Sequence, residues 1–120
     1  MATEYIIYCD ESDLQYRLGR AGWQIYFLPD VTTIHFGGKS LNPWRRRRMV
    51  YRGYLLFFTR HYGTARTLAL RLMLAGVSFL KLSSWLAVSL WPKSRELARK
   101  EIQSNWSIVR MSLSPGIEKP

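Results

Sequence analysis

The sequence predicts an α/β fold over its first third, with short strands, followed by basic amphipathic helices. Three observations point there. Residues 1–42 hold β-rich runs cut by turn signals around one amphipathic segment. From Pro43 onward the pattern turns helical and Arg-rich. Charge divides at the same place: residues 1–42 net −2, whereas residues 43–120 net +12.

Residues 4–9, rich in Tyr and Ile, read as a short buried strand. Residues 11–21 read as a helix. Leu14, Leu18 and Ala21 recur at helical spacing, Arg17 and Arg20 fall outside that stripe, and Gly22 suits the C′ position. Gln24–Leu28 is a predicted strand stopped by Pro29-Asp30, and Val31–Phe36 a second one ended by Gly37-Gly38. Trp44 to Tyr62 reads as one helix, opened by Arg45-Arg46-Arg47-Arg48 and closed by Gly63. Residues 64–91 form a more hydrophobic helix or helix pair, broken by Pro92. Ser94 is the expected N-cap of a short basic helix running to about Trp106, and residues 112–120 read as a tail.

At 120 residues the chain is one domain at most, small for an enzyme with two substrates. Its 48% hydrophobic content excludes disorder. A single cysteine, Cys9, permits no internal disulfide and suggests a reducing compartment, as a buried, inert thiol. The basic remainder calls for an anionic partner: nucleic acid, phospholipid or a phosphorylated substrate. Its cations surround a very apolar segment, a poor design for a nucleic-acid groove. Leu72–Trp91 carries one charge, Lys81. Twenty residues just span a bilayer, but a central Lys costs roughly 3 kcal/mol and five Gly or Ser residues dilute the segment. Trp85, Trp91 and basic flanks fit a helix lying in the headgroup region, against a buried or partner-facing helix or a true span.

The chemistry-bearing stretch is Asp10-Glu11-Ser12-Asp13. Carboxylates this close repel, so a fold keeps them together where their charge or basicity is used. The plain alternative is helix capping by Asp10 or Ser12, with acids favoured in a first turn.

These residues resemble the C-terminal part of a family 2 glycosyltransferase of the rhamnosyltransferase-like type. The resemblance rests on Tyr8-Cys9-Asp10-Glu11-Ser12-Asp13-Leu14, Arg17-Leu18-Gly19-Arg20-Ala21-Gly22-Trp23, Pro29-Asp30, Ile34-His35-Phe36-Gly37-Gly38-Lys39-Ser40 and Phe57-Phe58-Thr59-Arg60-His61-Tyr62-Gly63, in that order. It covers residues 4–63. It implies the acceptor-side half of a GT-A (Rossmann-like) catalytic domain over 1–42; residues 43–111, whose later helices match the family in character only, read from their own composition as a basic, hydrophobic, membrane-peripheral helical region. The implied activity is inverting sugar transfer from a nucleotide-sugar donor to a lipid-linked or cell-surface polysaccharide acceptor, at the cytoplasmic face of the cell membrane.

The family pattern is Glu-Asp where this chain has Asp10-Glu11. Position for position Glu11 takes the base role, and a shift of one residue gives it to Asp10; Asp13 completes the acidic set. The resemblance further implies His35 as a contact to a divalent metal (Mg or Mn) or phosphate, if a donor half is present. Gly37, Gly38, Ser40, Trp23 and Arg45 are the implied substrate contacts, with Trp23 otherwise a core residue. No Asp-x-Asp occurs in the sequence, so the chain is expected to be a fragment, inactive alone, with Met1 an internal or misassigned start. The alternative is a non-enzymatic basic protein on an anionic membrane surface.

Overall fold

The computed structural model describes residues 8–34 and 42–114. Four α-helices follow one another: α1 (Asp10–Arg20), α2 (Pro43–His61), α3 (Gly63–Val88) and α4 (Arg95–Leu113), the last preceded by a single 3₁₀ turn over Pro92–Ser94. No strand occurs among the described residues. The expected α/β, Rossmann-like GT-A half is therefore overturned: this part of the chain is all-α.

The reason lies in what a strand requires. Helices close their hydrogen bonds within one segment, whereas a strand needs a neighbour to pair with. Residues 24–28 and 31–34 have β-rich side chains, but no strand among the described residues lies beside them. They run without regular structure, and Phe27 (88%) and Ile34 (79%) stay exposed. The expected strand over 4–9 reaches the described residues only at Tyr8 and Cys9, whose φ values of 75° and 67° are left-handed rather than extended. Its other residues, and the end of the run at His35 and Phe36, lie outside the described residues.

The helices follow their local signals more closely. α1 ends in a Schellman motif: Gly22 has φ 86°, Trp23 N–H donates to the Leu18 carbonyl at 3.0 Å, and Gly22 N–H donates to Gly19 at 3.1 Å. α2 starts where the Asn42 side chain accepts from Trp44 N–H at 3.0 Å, with Pro43 in the first turn. Gly63, at φ 78°, lets the chain leave α2 and begin α3 within one residue. The segment expected as a helix or helix pair is one helix of 26 residues. Ser94 makes no cap bond; it ends the 3₁₀ turn, and α4 runs on to Leu113, past Trp106.

α3 and α4 form an antiparallel hairpin, and α2 lies along both. The centre is small: Leu55 from α2, Leu74 from α3 and Met111 from α4, with Tyr51 and Leu70 against them. A network at the other end clamps α2 to α4. Glu101 accepts from Arg47 Nη1 at 2.9 Å and Trp44 Nε1 at 3.0 Å, and Asn105 Nδ2 donates to its carbonyl at 2.8 Å. The Arg47 bond, opposed by burial, holds the Glu101 carboxyl below the ordinary carboxylate range.

The bundle has a mixed interior and, on α3, an apolar outer face. Its buried positions include Thr67, Ser78, Ser104, Asn105 and Ser112, whereas Leu68, Leu72, Met73, Val77, Phe79, Leu80 and Leu86 of α3 face outward. Six apolar residues are buried against 22 exposed large ones among the described residues, so apolar burial within the chain is not what this surface is built for. Small and hydroxyl-bearing interfaces between helices with apolar outer faces are the pattern of packing in lipid. α3 is long and apolar enough to cross a membrane. At 3.6 residues per turn, Lys81 falls at the flank of the apolar face rather than at its middle.

The loop before α1 packs on Gly53 of α2. A Cβ added there would meet Cys9 Sγ at 2.9 Å and the Tyr8 carbonyl at 3.1 Å. Gly53→Val is expected to push the Tyr8–Cys9 turn off α2 at a cost of about 1–3 kcal/mol. Cys9 is half-buried and reports the event. Its alkylation rate should rise in the variant, and an unchanged rate would contradict the packing.

Candidate functional site

The acidic turn becomes a site through one residue. Asp13 lies on the first turn and a half of α1, 1% exposed, and three cationic or potentially cationic groups converge on it. Arg17 Nε, one turn on, donates to Oδ2 at 2.9 Å; His61 Nε2 lies 2.6 Å from Oδ1; Arg60 Nη1 is 3.6 Å from the same oxygen. His61 and Arg60 come from the last turn of α2, so two segments nearly fifty residues apart, Asp10–Asp13 and Phe57–Gly63, meet here. The cations answer the repulsion that a dense acidic cluster creates. Burial alone would raise the Asp13 carboxyl, but the His61 bond and the Arg17, Arg60 and His61 charges outweigh it and hold it below its ordinary range.

Aromatic rings enclose the pair. Tyr16, one turn along α1, has its centroid 4.5 Å from the His61 ring and 5.4 Å from Phe57, which is itself 4.8 Å from His61. Phe58 and Tyr62 extend the cluster. This apolar wall lowers the local dielectric and strengthens the Asp13–His61 bond. A lone histidine in a helix-end aromatic patch reads as structural or interfacial, and nothing in its spacing named Asp13 as its partner. Glu101 and Asn105 were not singled out either; an acid within a strongly basic helix was the available signal.

The other expected site residues fare differently. Neither Asp10 nor Ser12 is the N-cap: Cys9 occupies that position with no side-chain cap bond, and burial, followed by the charge of Asp10, raises its thiol. Asp10, Glu11 and Asp13 all fall in the first turn, where the positive end of the helix dipole favours them. Glu11 is exposed to solvent and Asp10 half-buried, while Asp13 is enclosed. Trp23 is 69% exposed and not a core residue. Arg45 is exposed on the first turn of α2, about 24 Å along that helix from His61 by helical rise. The structure does not bring it to the Asp13 cluster. His35, Gly37, Gly38 and Ser40 lie outside the described residues.

A divalent metal does not fit the cluster. Both Asp13 oxygens already face cations or a ring N–H, and among the described residues no group of three His, Cys, Asp or Glu side chains could hold an ion. The implied metal contact at His35 lies outside the described residues. The arrangement can instead hold α1 on α2 while leaving Glu11 exposed beside it. The sequence matches no family model, and no curated protein or solved structure matches it.

Proposed function

We propose that this chain is a membrane-apposed, acceptor-side part of a glycosyl-transfer enzyme, working at an anionic cytoplasmic membrane face on a lipid-linked or cell-surface glycan. The single observation that carries the membrane part is the apolar outer face of α3, where Leu68, Leu72, Phe79, Leu80 and Leu86 face outward while Thr67 and Ser78 face its neighbours. Support for the chemistry comes from the motif order that resembles family 2 transferases, and from the meeting of two of those motifs at Asp13 and His61.

In this reading Glu11 is the base. Its carboxylate takes the proton of the acceptor hydroxyl as that oxygen bonds to the anomeric carbon, while the bond to the nucleotide diphosphate breaks on the opposite face. Asp10 is the alternative base, one residue away. Asp13 is a positioning residue: it anchors the turn that carries both. The 120 residues hold no Asp-x-Asp, and turnover by the chain alone is not expected.

The test purifies the protein from its own cells through a tag added at the chromosomal locus, so that any donor-binding partner travels with it. Transfer of radiolabelled sugar from nucleotide sugars to the membrane lipid extract is the expected result. Glu11→Gln should lower transfer by about 100-fold or more, the contribution typical of a general base. Native-level transfer by both Glu11→Gln and Asp10→Asn would overturn the assignment of the base. The absence of strands among the described residues favours a second reading, a non-enzymatic basic membrane-peripheral protein. Vesicle binding without transfer of any sugar would establish it in place of the first.

A further inference from the structure

We propose that a cleft where the end of α2, the start of α3 and the end of α4 meet binds the phosphate of an anionic lipid, with the lipid chain lying along Leu68, Leu72 and Leu113. The proposal shares with the proposed function only the lipid-facing side of α3, and it requires no sugar transfer.

The cleft measures about 380 Å³, within the range of small-ligand sites. One wall is polar and already organised. Arg71 donates through Nη1 to the Ser112 carbonyl at 3.2 Å and to the Ser114 carbonyl, which fixes its guanidinium at the negative end of α4. A guanidinium carries five N–H donors, and both of these bonds leave from one nitrogen. Ser112, on the same wall, is 1% exposed and its hydroxyl has no hydrogen-bond partner. A buried hydroxyl without a partner is unfavourable, and beside a fixed guanidinium it is a ready second donor to an anion. Two other hydroxyls in the cleft are committed: Thr59 Oγ1 donates to the Leu55 carbonyl and Thr67 Oγ1 to that of Gly63. They leave Arg71, Ser112 and Thr64 as the polar contacts.

The rest of the lining is apolar. Leu68, Leu72 and Leu113 line the cleft and are 54%, 58% and 62% exposed, so the cleft opens onto the outward apolar face of α3. A free phosphate would use only half of this site. A phosphate carrying an alkyl chain would use both halves, the head against Arg71 and Ser112 and the chain continuous with the face that lies against lipid.

The test titrates the full chain with short-chain (dihexanoyl) phosphatidic acid, with dihexanoyl phosphatidylcholine and with inorganic phosphate, followed by amide and Arg Nε–H NMR shifts. Phosphatidic acid is expected to shift Arg71 Nε–H and the Ser112 and Thr64 amides, and to bind at least about tenfold tighter than either other ligand. Arg71→Gln keeps a donor for the α4 carbonyls but no charge, and should lose about tenfold or more in affinity. Leu113→Glu alters an exposed side chain at the cleft mouth and should repel the headgroup without disturbing the fold, which covers the case where Arg71→Gln fails to fold. Shifts confined to Arg45–Arg48, or native affinity in Leu113→Glu, would overturn the site. Equal affinity for inorganic phosphate would overturn its assignment to a lipid.

Discussion

Leu72→Asp combined with Leu80→Asp will release the protein from anionic vesicles while leaving its helix content unchanged. Both side chains point away from the bundle, at 58% and 68% exposure, so neither holds the fold together. Both belong to the middle of the outward apolar face of α3. Moving one leucine from water into lipid is worth about 1.5–3 kcal/mol, so the pair accounts for a loss of two orders of magnitude or more in partitioning. Neutralising Arg45 and Arg46 should do less, about 1 kcal/mol for each cation near the surface, and that part alone should fade with salt. Vesicle co-sedimentation at low and high ionic strength separates the two contributions. Native binding by the double aspartate variant would remove the membrane role of α3.

Asp13→Asn should free α1 from α2 without unfolding the rest. The contacts that join α2, α3 and α4 run through Leu55, Leu74, Met111 and Glu101, and none of them involves α1. Asparagine keeps the size of the side chain but not the charge that His61, Arg17 and Arg60 face. Arg17 and Arg60 are partly open to water, which limits the cost to about 1–3 kcal/mol. Hydrogen exchange should show α1 amides losing protection while α3 and α4 keep theirs. Uniform protection in the variant would mean that the Asp13 cluster does not seat the helix.

The same contact has a pH signature. Its carboxyl titrates below the ordinary aspartate value, because the His61 bond and the neighbouring charges overcome the upward push of burial. A carboxyl lowered by folding stabilises the folded form above its unfolded value and loses that contribution as pH falls through the folded one. Protection of α1 should therefore hold at neutral pH and decline below about pH 4. In Asp13→Asn that decline should be absent.

The elements legible in the sequence were those whose signals are local. Gly22 and Gly63 stop helices because each adopts a left-handed backbone, and the change of pattern at Pro43 marks the start of α2, where proline's fixed φ suits a first turn. The β-rich runs at 24–28 and 31–36 misled for the opposite reason. Valine, isoleucine and aromatic residues mark what suits a sheet, but among the described residues there is no strand for these runs to pair with. The acidic turn was legible as an oddity of charge. That Asp13 is its anchor, and that Glu11 is its open member, depends on where the end of α2 lies.

By itself the sequence determined the stops at Gly22 and Gly63, the division of charge at Pro43 and the apolar character of residues 72–91, because each is a property of neighbours along the chain. Only the tertiary structure decided that Asp13 meets His61 and Arg60, that Glu101 clamps α2 to α4, and that Leu72, Phe79, Leu80 and Leu86 of α3 face outward while Thr67, Leu74 and Ser78 face in. Those are contacts between segments far apart in sequence, and their free energy exists only once the helices are packed.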